Sequence, residues 1–164
     1  MNKSIIIAAL IGGLLIGSGL WYHAADPTTS LPTAYAALSG VPITVYHSPT
    51  CGCCGVYAGE LSATGAEVMI EQVDEVRLNE IKAEHNLAIN QQSCHTSYVT
   101  VGDRQYVVEG HVPFAAIAQL VTEQPDIVGI TLPGMPIGTP GMPGLQTEPY
   151  VVTTLSGEPF WQSS

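Results

Sequence analysis

The chain is short and acidic, with 164 residues, a formal net charge of −10 and a total of four Lys and Arg residues. This length allows one domain with a modest hydrophobic core. So few cationic side chains cannot neutralise a phosphate backbone, and we therefore expect no nucleic-acid partner. The acidic residues are spread along the chain instead of forming one tail, which favours a role in solubility.

The N-terminal segment combines one positive charge with a long apolar run. Lys3 precedes an uncharged stretch at residues 5–20. This pattern predicts a signal peptide or an N-terminal membrane anchor at residues 1–25, and it leaves cleavage open. We therefore expect a periplasmic or otherwise extracytoplasmic protein, either soluble after cleavage or held at the membrane only through residues 5–22. Residues 26–40, with several Pro, Ser, Thr and Ala, are predicted to be a flexible tether.

Residues 41–164 carry the periodic patterns of a folded α/β domain. Alternating runs of β-branched residues predict strands, and apolar residues at helical spacing predict helices. Met69, within the second strand, is expected to lie in the core. The predicted elements in chain order are strand 43–47, helix 53–63, strand 67–73, helix 76–86, strands 98–101 and 106–109, and helix 113–123.

The order of these elements predicts a thioredoxin-like fold, in which a mixed sheet is flanked by helices. Gly102-Asp103 between two strands indicates a hairpin. Residues 132–144, here called the strap, are so dense in Gly and Pro that no regular element is expected there. Residues 150–155 are predicted to form a last strand at the edge of the sheet.

Three of the four cysteines lie within four residues, and the fourth stands alone. Cys51, Cys53 and Cys54 fall at the start of the first predicted helix, where free backbone N–H groups and the helix dipole favour thiolate over thiol. Cys94 falls between the second predicted helix and the third predicted strand. Thiolates are soft ligands that are also easily oxidised, so the cluster suits either a soft metal or disulfide exchange.

Two functions from different classes fit this cluster. In the first, the protein binds several Cu(I) ions that are bridged by sulfur, which uses every thiol. In the second, it is a thiol–disulfide oxidoreductase with Cys51 and Cys54 as its redox pair. Cys53 and Cys94 are surplus to such a dithiol cycle, which favours the first function. A structural zinc site would show a second CxxC pair, and a disulfide from Cys51 or Cys53 to Cys94 would not explain the crowding.

Four motifs, in this order along the chain, resemble those of the CopG-type copper resistance proteins, a family of small bacterial periplasmic metal-binding proteins. The motifs are Ser48-Pro49-Thr50-Cys51-Gly52-Cys53-Cys54, Ser93-Cys94-His95-Thr96, Glu109-Gly110-His111-Val112-Pro113, and Pro133-Gly134-Met135-Pro136 with Gly138-Thr139-Pro140-Gly141-Met142. The resemblance implies a thioredoxin-like fold, copper held by the cysteines, and a part in copper detoxification or copper redox handling. It also implies that Cys94 supplies a fourth ligand from the loop where this fold usually carries a cis-proline.

Histidines near these motifs are further candidate ligands. His95 follows Cys94 and would face the cluster, so it is a candidate ligand or a support for one. His111 is a candidate ligand or a turn residue that bonds to the backbone. His47 is the last residue of the first predicted strand and is expected at the surface.

The sequence thus predicts an exported protein that holds Cu(I), as a multi-copper thiolate cluster, for copper resistance or copper redox handling. Met135 and Met142 in the strap are candidate Cu(I) ligands or packing residues of an irregular loop. The expected partners are copper ions and other exported copper-handling proteins. Sequestration and redox cycling use the same ligands, so whether the protein is also a copper oxidoreductase stays open.

Overall fold

The computed structural model describes residues 33–164. The predicted signal or anchor at residues 1–25, and the first part of the predicted tether, lie outside the described residues. Within residues 33–164, no helix has both the length and the apolar character needed to cross a bilayer.

The domain consists of short helices and strands in the predicted alternation. A short 3-10 helix at Thr33–Leu38 precedes the first strand. The remaining elements are β1 (Pro42–His47), α1 (Gly52–Ser62), β2 (Glu67–Gln72), α2 (Glu75–Glu84), a 3-10 turn at Ile89–Gln91, β3 (His95–Val101), β4 (Arg104–Glu109), α3 (Phe114–Glu123), β5 (Gly129–Thr131), β6 (Val151–Thr154) and β7 (Pro159–Gln162).

The strands form one mixed sheet in the order β2-β1-β3-β4-β5-β6-β7. β1 is parallel to β2 and antiparallel to β3, and β3 and β4 form the predicted hairpin. The first four strands and α1 to α3 therefore have the thioredoxin-like arrangement that the sequence predicts. β5, β6 and β7 extend this sheet on the side of β4.

The helices cover both faces of the sheet. On one face, the Tyr57 ring of α1 contacts both the His95 ring of β3 and the Phe114 ring of α3. Successive strand residues point to opposite faces, and Thr96 accordingly contacts Lys82 of α2 on the other face. β3 therefore lies between two layers, and its first two residues face different layers.

The main hydrophobic core lies between the sheet, α1 and α3. The buried residues of α3 recur at helical spacing: Phe114, Ala116, Ile117, Ala118, Leu120 and Val121. The N-terminal 3-10 helix packs on α3, where the Tyr35 and Phe114 rings lie 6.1 Å apart and Leu38 is fully buried. The folded part of the chain thus begins before Val41, within the segment predicted to be a tether.

Two expectations about the sheet were wrong. Met69 is 54% exposed instead of lying in the core, because β2 is an edge strand that pairs only with β1. The strand predicted at residues 150–155 is present as β6 but lies between β5 and β7. The C-terminal edge strand is β7, which the sequence analysis did not predict.

The strap contains no helix or strand, as predicted, and it crosses the N-terminal end of α1. The Tyr150 hydroxyl donates to the Ile137 carbonyl at 2.6 Å, and the Ser93 hydroxyl donates to the Gly134 carbonyl at 2.6 Å. Gly141 has a φ of +77°, and a Cβ there would lie 2.7 Å from the Cys53 carbonyl oxygen. Only glycine allows this close approach, which brings the strap against the cysteine-bearing turn.

Candidate metal centre

The cysteine-rich motif lies in the turn between β1 and α1 and in the first turn of α1. Cys51 is the N-cap residue, and Cys53 and Cys54 lie in the first turn of the helix. The Cys51 N–H donates to the Ser48 carbonyl at 2.9 Å, which closes the turn between strand and helix. Cys54 is buried, whereas Cys51 and Cys53 are half-buried. The predicted placement of three sulfurs at a helix N-terminus is therefore confirmed.

Cys51 and Cys54 are joined by a disulfide bond. Cys53 and Cys94 are free, and the Cys53 Sγ lies 3.6 Å from the Cys51 Sγ. The bond thus forms within the CxxC pair, and neither Cys51 nor Cys53 is bonded to Cys94.

Cys94 brings the fourth sulfur to this turn from the other side. It directly precedes β3, and its carbonyl oxygen lies 3.8 Å from the Cys54 Sγ. The described residues contain no cis peptide bond, so Cys94 occupies this loop in a trans backbone. The Sγ atoms of Cys51, Cys53, Cys54 and Cys94 all lie within 4.8 Å of one another.

His111 points a ring nitrogen at Cys94. The His111 Nδ1 lies 2.7 Å from the Pro140 carbonyl, and the Nε2 lies 3.1 Å from the Cys94 Sγ. A carbonyl oxygen can only accept, so the Nδ1 carries the proton and the Nε2 presents its lone pair to the sulfur. Burial lowers the pKa of His111, which favours the neutral ring. This is the tautomer and charge state of a metal-binding imidazole.

His95 is fully buried beside the same sulfur. Its Nδ1 lies 3.5 Å from the Cys94 Sγ, and its ring is 4.8 Å from the His111 ring. Burial holds the pKa of His95 well below its usual range, and the positive charge of Lys82 adds to this effect. The donor atoms of Cys54, Cys94, His95 and His111 form a second group within 4.8 Å of one another.

Tyr57 covers both imidazoles. Its ring centroid lies 4.5 Å from that of His95 and 5.4 Å from that of His111. Its hydroxyl donates to the Val112 carbonyl at 3.1 Å, and burial raises its pKa, so the phenol stays protonated. Tyr57 thus excludes water from the histidine side of the centre.

Cys94 is held as a thiol in the metal-free protein. Burial raises its pKa to about 11, and the nearby Cys53 adds to the rise. A bound cation would displace this proton, because the thiolate is the form that ligates metals. The donor set of thiolates and neutral imidazoles fits a soft cation such as copper.

The two candidate methionines differ in their surroundings. Met135 is 49% exposed on the strap. Met142 is half-buried beside Gly141 and lines an open cavity of about 580 Å³ with Glu60, Phe114 and Trp161. Their ligation of copper stays a prediction.

The sequence analysis placed His47 at the surface, which was wrong, because His47 is only 2% exposed. Its Nδ1 donates to the Ser48 carbonyl at 2.8 Å, and it lies opposite His95 in the β1–β3 pairing. The alternation of buried residues along β1, through Ile43 and Val45, was the signal that could have identified it.

The sequence analysis also missed a buried ion pair next to the centre. Lys82 on α2 and Glu109 at the end of β4 form a salt bridge, with side-chain exposures of 4% and 0%. No sequence pattern marks this pair, because its members are joined only by the packing of α2 on the sheet.

Comparisons with known proteins agree with this architecture. Residues 91–142 match the family model described as a protein of unknown function, DUF411. No curated protein matches the chain. The solved structure of copper resistance protein CopG, form 1, is 32% identical with a TM-score of 0.65, and the match covers 76% of this chain and 98% of that one. Form 2 is 33% identical with a TM-score of 0.64, covering 77% of this chain and 100% of that one. The fold, the order of the motifs and this identity over nearly the whole of those proteins show that the chain belongs to the family of CopG copper resistance proteins.

Proposed function

We propose that the protein is an exported copper-binding protein that holds Cu(I) as a multi-copper thiolate cluster for copper resistance. The observation that carries this proposal is the overlap of two donor groups. Cys51, Cys53, Cys54 and Cys94 form one group, and Cys54 and Cys94 also belong to the group that includes His95 and His111. A thiolate can bridge two Cu(I) ions, so the two shared sulfurs would join both groups into one cluster.

The choice of Cu(I) follows from the donors. Thiolates are soft and select Cu(I), while a neutral imidazole such as that of His111 tolerates it. Cys53 and Cys54 are adjacent on the helix, so their sulfurs suit a cluster of several ions better than one tetrahedral ion. The similarity to structures named copper resistance proteins supports copper as the metal.

Copper loading requires reduction of the Cys51–Cys54 disulfide. The bond occupies one valence of each sulfur, and the thiolate is the ligand. An external dithiol supplies the two electrons and two protons for each bond and is itself oxidised to a disulfide, and copper then replaces the two protons on Cys51 and Cys54. We therefore expect copper binding by the reduced protein and weak binding by the oxidised protein.

Metal analysis of the reduced, anaerobically loaded protein tests the proposal. We expect about four copper ions per chain, one for each cysteine sulfur. Cys94→Ser removes a sulfur that belongs to both groups and should lower the copper content substantially. Ser62→Ala, at the exposed end of α1, is the control and should retain the wild-type copper content. A copper-free wild-type protein, or unchanged copper in Cys94→Ser, would contradict the proposal.

A second candidate function is thiol–disulfide exchange, and the observed Cys51–Cys54 disulfide favours it. Cys51 would attack a substrate disulfide, and Cys54 would then displace the mixed disulfide to release the reduced substrate. Insulin reduction with dithiothreitol measures this activity. If Cys51→Ser abolished it while Cys94→Ser left the copper content unchanged, this function would replace the first.

The same dithiol could also reduce copper. Two thiolates, Cys51 and Cys54, would each give one electron to a Cu(II) ion, yielding two Cu(I) ions and the disulfide. Mixing the reduced protein with Cu(II) and a Cu(I)-specific chelator measures this step. Two Cu(I) ions per disulfide formed would support it, and Cu(I) formation by Cys51→Ser/Cys54→Ser at the wild-type level would contradict it.

Export and the partners are also part of the proposal. The apolar run at residues 5–20 supports transport out of the cytoplasm, with copper ions and other exported copper-handling proteins as partners. Cell fractionation of the full chain tests this. Recovery from the cytoplasm would contradict it.

A further inference from the structure

The buried ion pair between Lys82 and Glu109 has no place among the copper donors. Both side chains are almost fully buried, on the face of the sheet that α2 covers. Taking two charges out of water is costly, and such a pair is weak evidence for stability by itself. Its position next to the candidate metal centre therefore calls for a role other than packing.

One carboxylate holds both sides of the Cys94 turn. The Glu109 Oε1 accepts from the Ser93 backbone N–H at 2.6 Å, and the Oε2 accepts from the Thr96 hydroxyl at 2.6 Å. Ser93 and Thr96 directly flank Cys94 and His95 in the chain. The Lys82 Nζ donates both to Glu109 and, at 3.2 Å, to the Thr96 hydroxyl. The turn that carries two candidate ligands is thus tied to the ion pair at both ends.

Glu109 also belongs to the segment that carries His111. It pairs with Thr96 in the sheet, and the next residue, Gly110, donates its N–H to the His95 carbonyl at 3.0 Å. Gly110 has a φ of +82°, and a Cβ there would lie 2.7 Å from the Ser93 Cβ. The chain can therefore turn directly from Glu109 to His111, against the same Cys94 turn.

We propose that Glu109, together with Lys82, positions Cys94 against His111 and so preorganises the copper donors that come from distant parts of the chain. Lys82 supplies the positive charge that a buried carboxylate needs, and the carboxylate fixes the turn. The 3.1 Å approach of the Cys94 Sγ to the His111 Nε2 is the geometry that this arrangement maintains. The inference rests on the proposed copper-binding function, and it also requires that Cys94 is held against His111 before copper binds.

Two double variants separate positioning from simple stabilisation. Lys82→Met/Glu109→Gln and Lys82→Met/Glu109→Leu both remove the charges and keep similar side-chain volumes. The glutamine carbonyl can still accept from the Ser93 N–H, and its amide can donate to the Thr96 hydroxyl. The leucine offers neither hydrogen bond. The two proteins therefore differ mainly in whether the Cys94 turn is held.

The first readout is the alkylation of Cys94 by iodoacetamide in the oxidised, copper-free protein, followed by mass spectrometry. We expect the Leu variant to react about tenfold faster than the wild type, because a buried donor has lost its partner and the turn opens. The Gln variant should restore a rate close to that of the wild type. Cys53 lies within 4.8 Å of Cys94, so it is replaced by Ser in all three proteins and the measured rates report Cys94 alone.

The second readout is Cu(I) affinity, measured by competition with a chelator on the reduced protein. We expect about tenfold weaker binding in the Leu variant and recovery in the Gln variant. If the Leu variant does not fold, Thr96→Val removes one of the two ties alone and should raise the Cys94 alkylation rate about threefold.

The outcomes distinguish this inference from the proposed function. Equal Cys94 rates in the Gln and Leu variants, or an unchanged rate in Thr96→Val when the Leu variant is unfolded, would overturn the positioning role. If the alkylation pattern holds but no protein binds copper, the proposed function fails while the positioning of Cys94 stands. If copper binds and the alkylation rates do not differ, the proposed function stands and the positioning role fails.

Discussion

The two sides of the candidate metal centre are built in different ways. On the α1 side, Cys51, Cys53 and Cys54 come from one helical turn, and two of them are half-buried. On the sheet side, Cys94 and His111 come from the ends of different strands and approach within 3.1 Å. The first side depends on local sequence, whereas the second depends on how β3, β4 and the strap are packed.

This difference has a chemical consequence. The α1 side can form a disulfide within itself, and this bond removes Cys51 and Cys54 as ligands. The sheet side has one free thiol and two buried imidazoles, and the Pro140 carbonyl fixes the tautomer of His111. We infer that oxidation controls the availability of the first side, while packing controls the geometry of the second.

The largest expected effect comes from disturbing the packing of the sheet side. Gly110→Ala forces a left-handed backbone on a residue with a side chain and places its Cβ 2.7 Å from the Leu132 carbonyl oxygen and the Ser93 Cβ. Strain and overpacking together should lower the free energy of unfolding by about 3 kcal/mol. Chemical denaturation measures this loss.

Gly102→Ala is the matched control for this prediction. Gly102 has a φ of +57° in the β3–β4 hairpin, but nothing lies within 4 Å of a Cβ built there. The Gly102→Ala substitution should lower the free energy of unfolding by only about 1 kcal/mol, from backbone strain alone. Equal losses of unfolding free energy for the two variants would show that the crowding around Gly110 does not matter. They would contradict the statement that close packing maintains the sheet side.

A smaller effect is expected from removing one imidazole. His111→Gln leaves a side chain of similar length but takes away the nitrogen that faces Cys94, so Cu(I) affinity should fall by about 10- to 100-fold. Chelator competition measures the change. The oxidised protein should retain its Cys51–Cys54 disulfide, because that bond lies on the other side of the centre.

His85→Gln is the control for this variant. The His85 Nε2 lies 2.8 Å from the Tyr98 hydroxyl, at the end of α2 and away from the sulfurs. We expect its Cu(I) affinity to match that of the wild type. If His111→Gln bound Cu(I) equally well, the cysteines alone would account for the site.

The same contrast explains how much of the molecule could be predicted from the sequence. The β-α-β-α-β-β-α order and the cysteine-bearing helix start depend on local patterns, and both are confirmed. β5 has only three residues and β7 has four, which is too short for periodicity to identify. Their existence depends on pairing with strands that are distant in sequence.

The site was predictable to a similar degree. The four cysteines and the two histidines were identified by type and motif, and the fold brings them together. The burial of His47 was mispredicted because a position at the end of the first strand favoured the surface, whereas its pairing with β3 buries it. The Lys82–Glu109 pair joins residues 27 positions apart, and only the tertiary packing makes those two charges neighbours.

The smallest effect, taken per pH unit, and the one that compares the two sides most directly, is the pH dependence of copper binding. Burial and the nearby Cys53 raise the pKa of Cys94 to about 11 in the disulfide-bonded protein, so its thiol is protonated throughout the neutral range. Copper binds the thiolate, so loading must release this proton, and Cu(I) affinity should rise with pH through the neutral and mildly alkaline range. The release of the Cys94 proton alone should raise the Cu(I) affinity about tenfold for each pH unit.

Chelator competition at several pH values between neutral and mildly alkaline conditions measures the slope of log affinity against pH. Cys94→Ser should reduce the slope by one released proton per chain, since Cys94 has a single thiol proton and serine has none to lose in this range. An unchanged slope in that variant would mean that the proton comes from the α1 side, and that Cys94 is not a ligand.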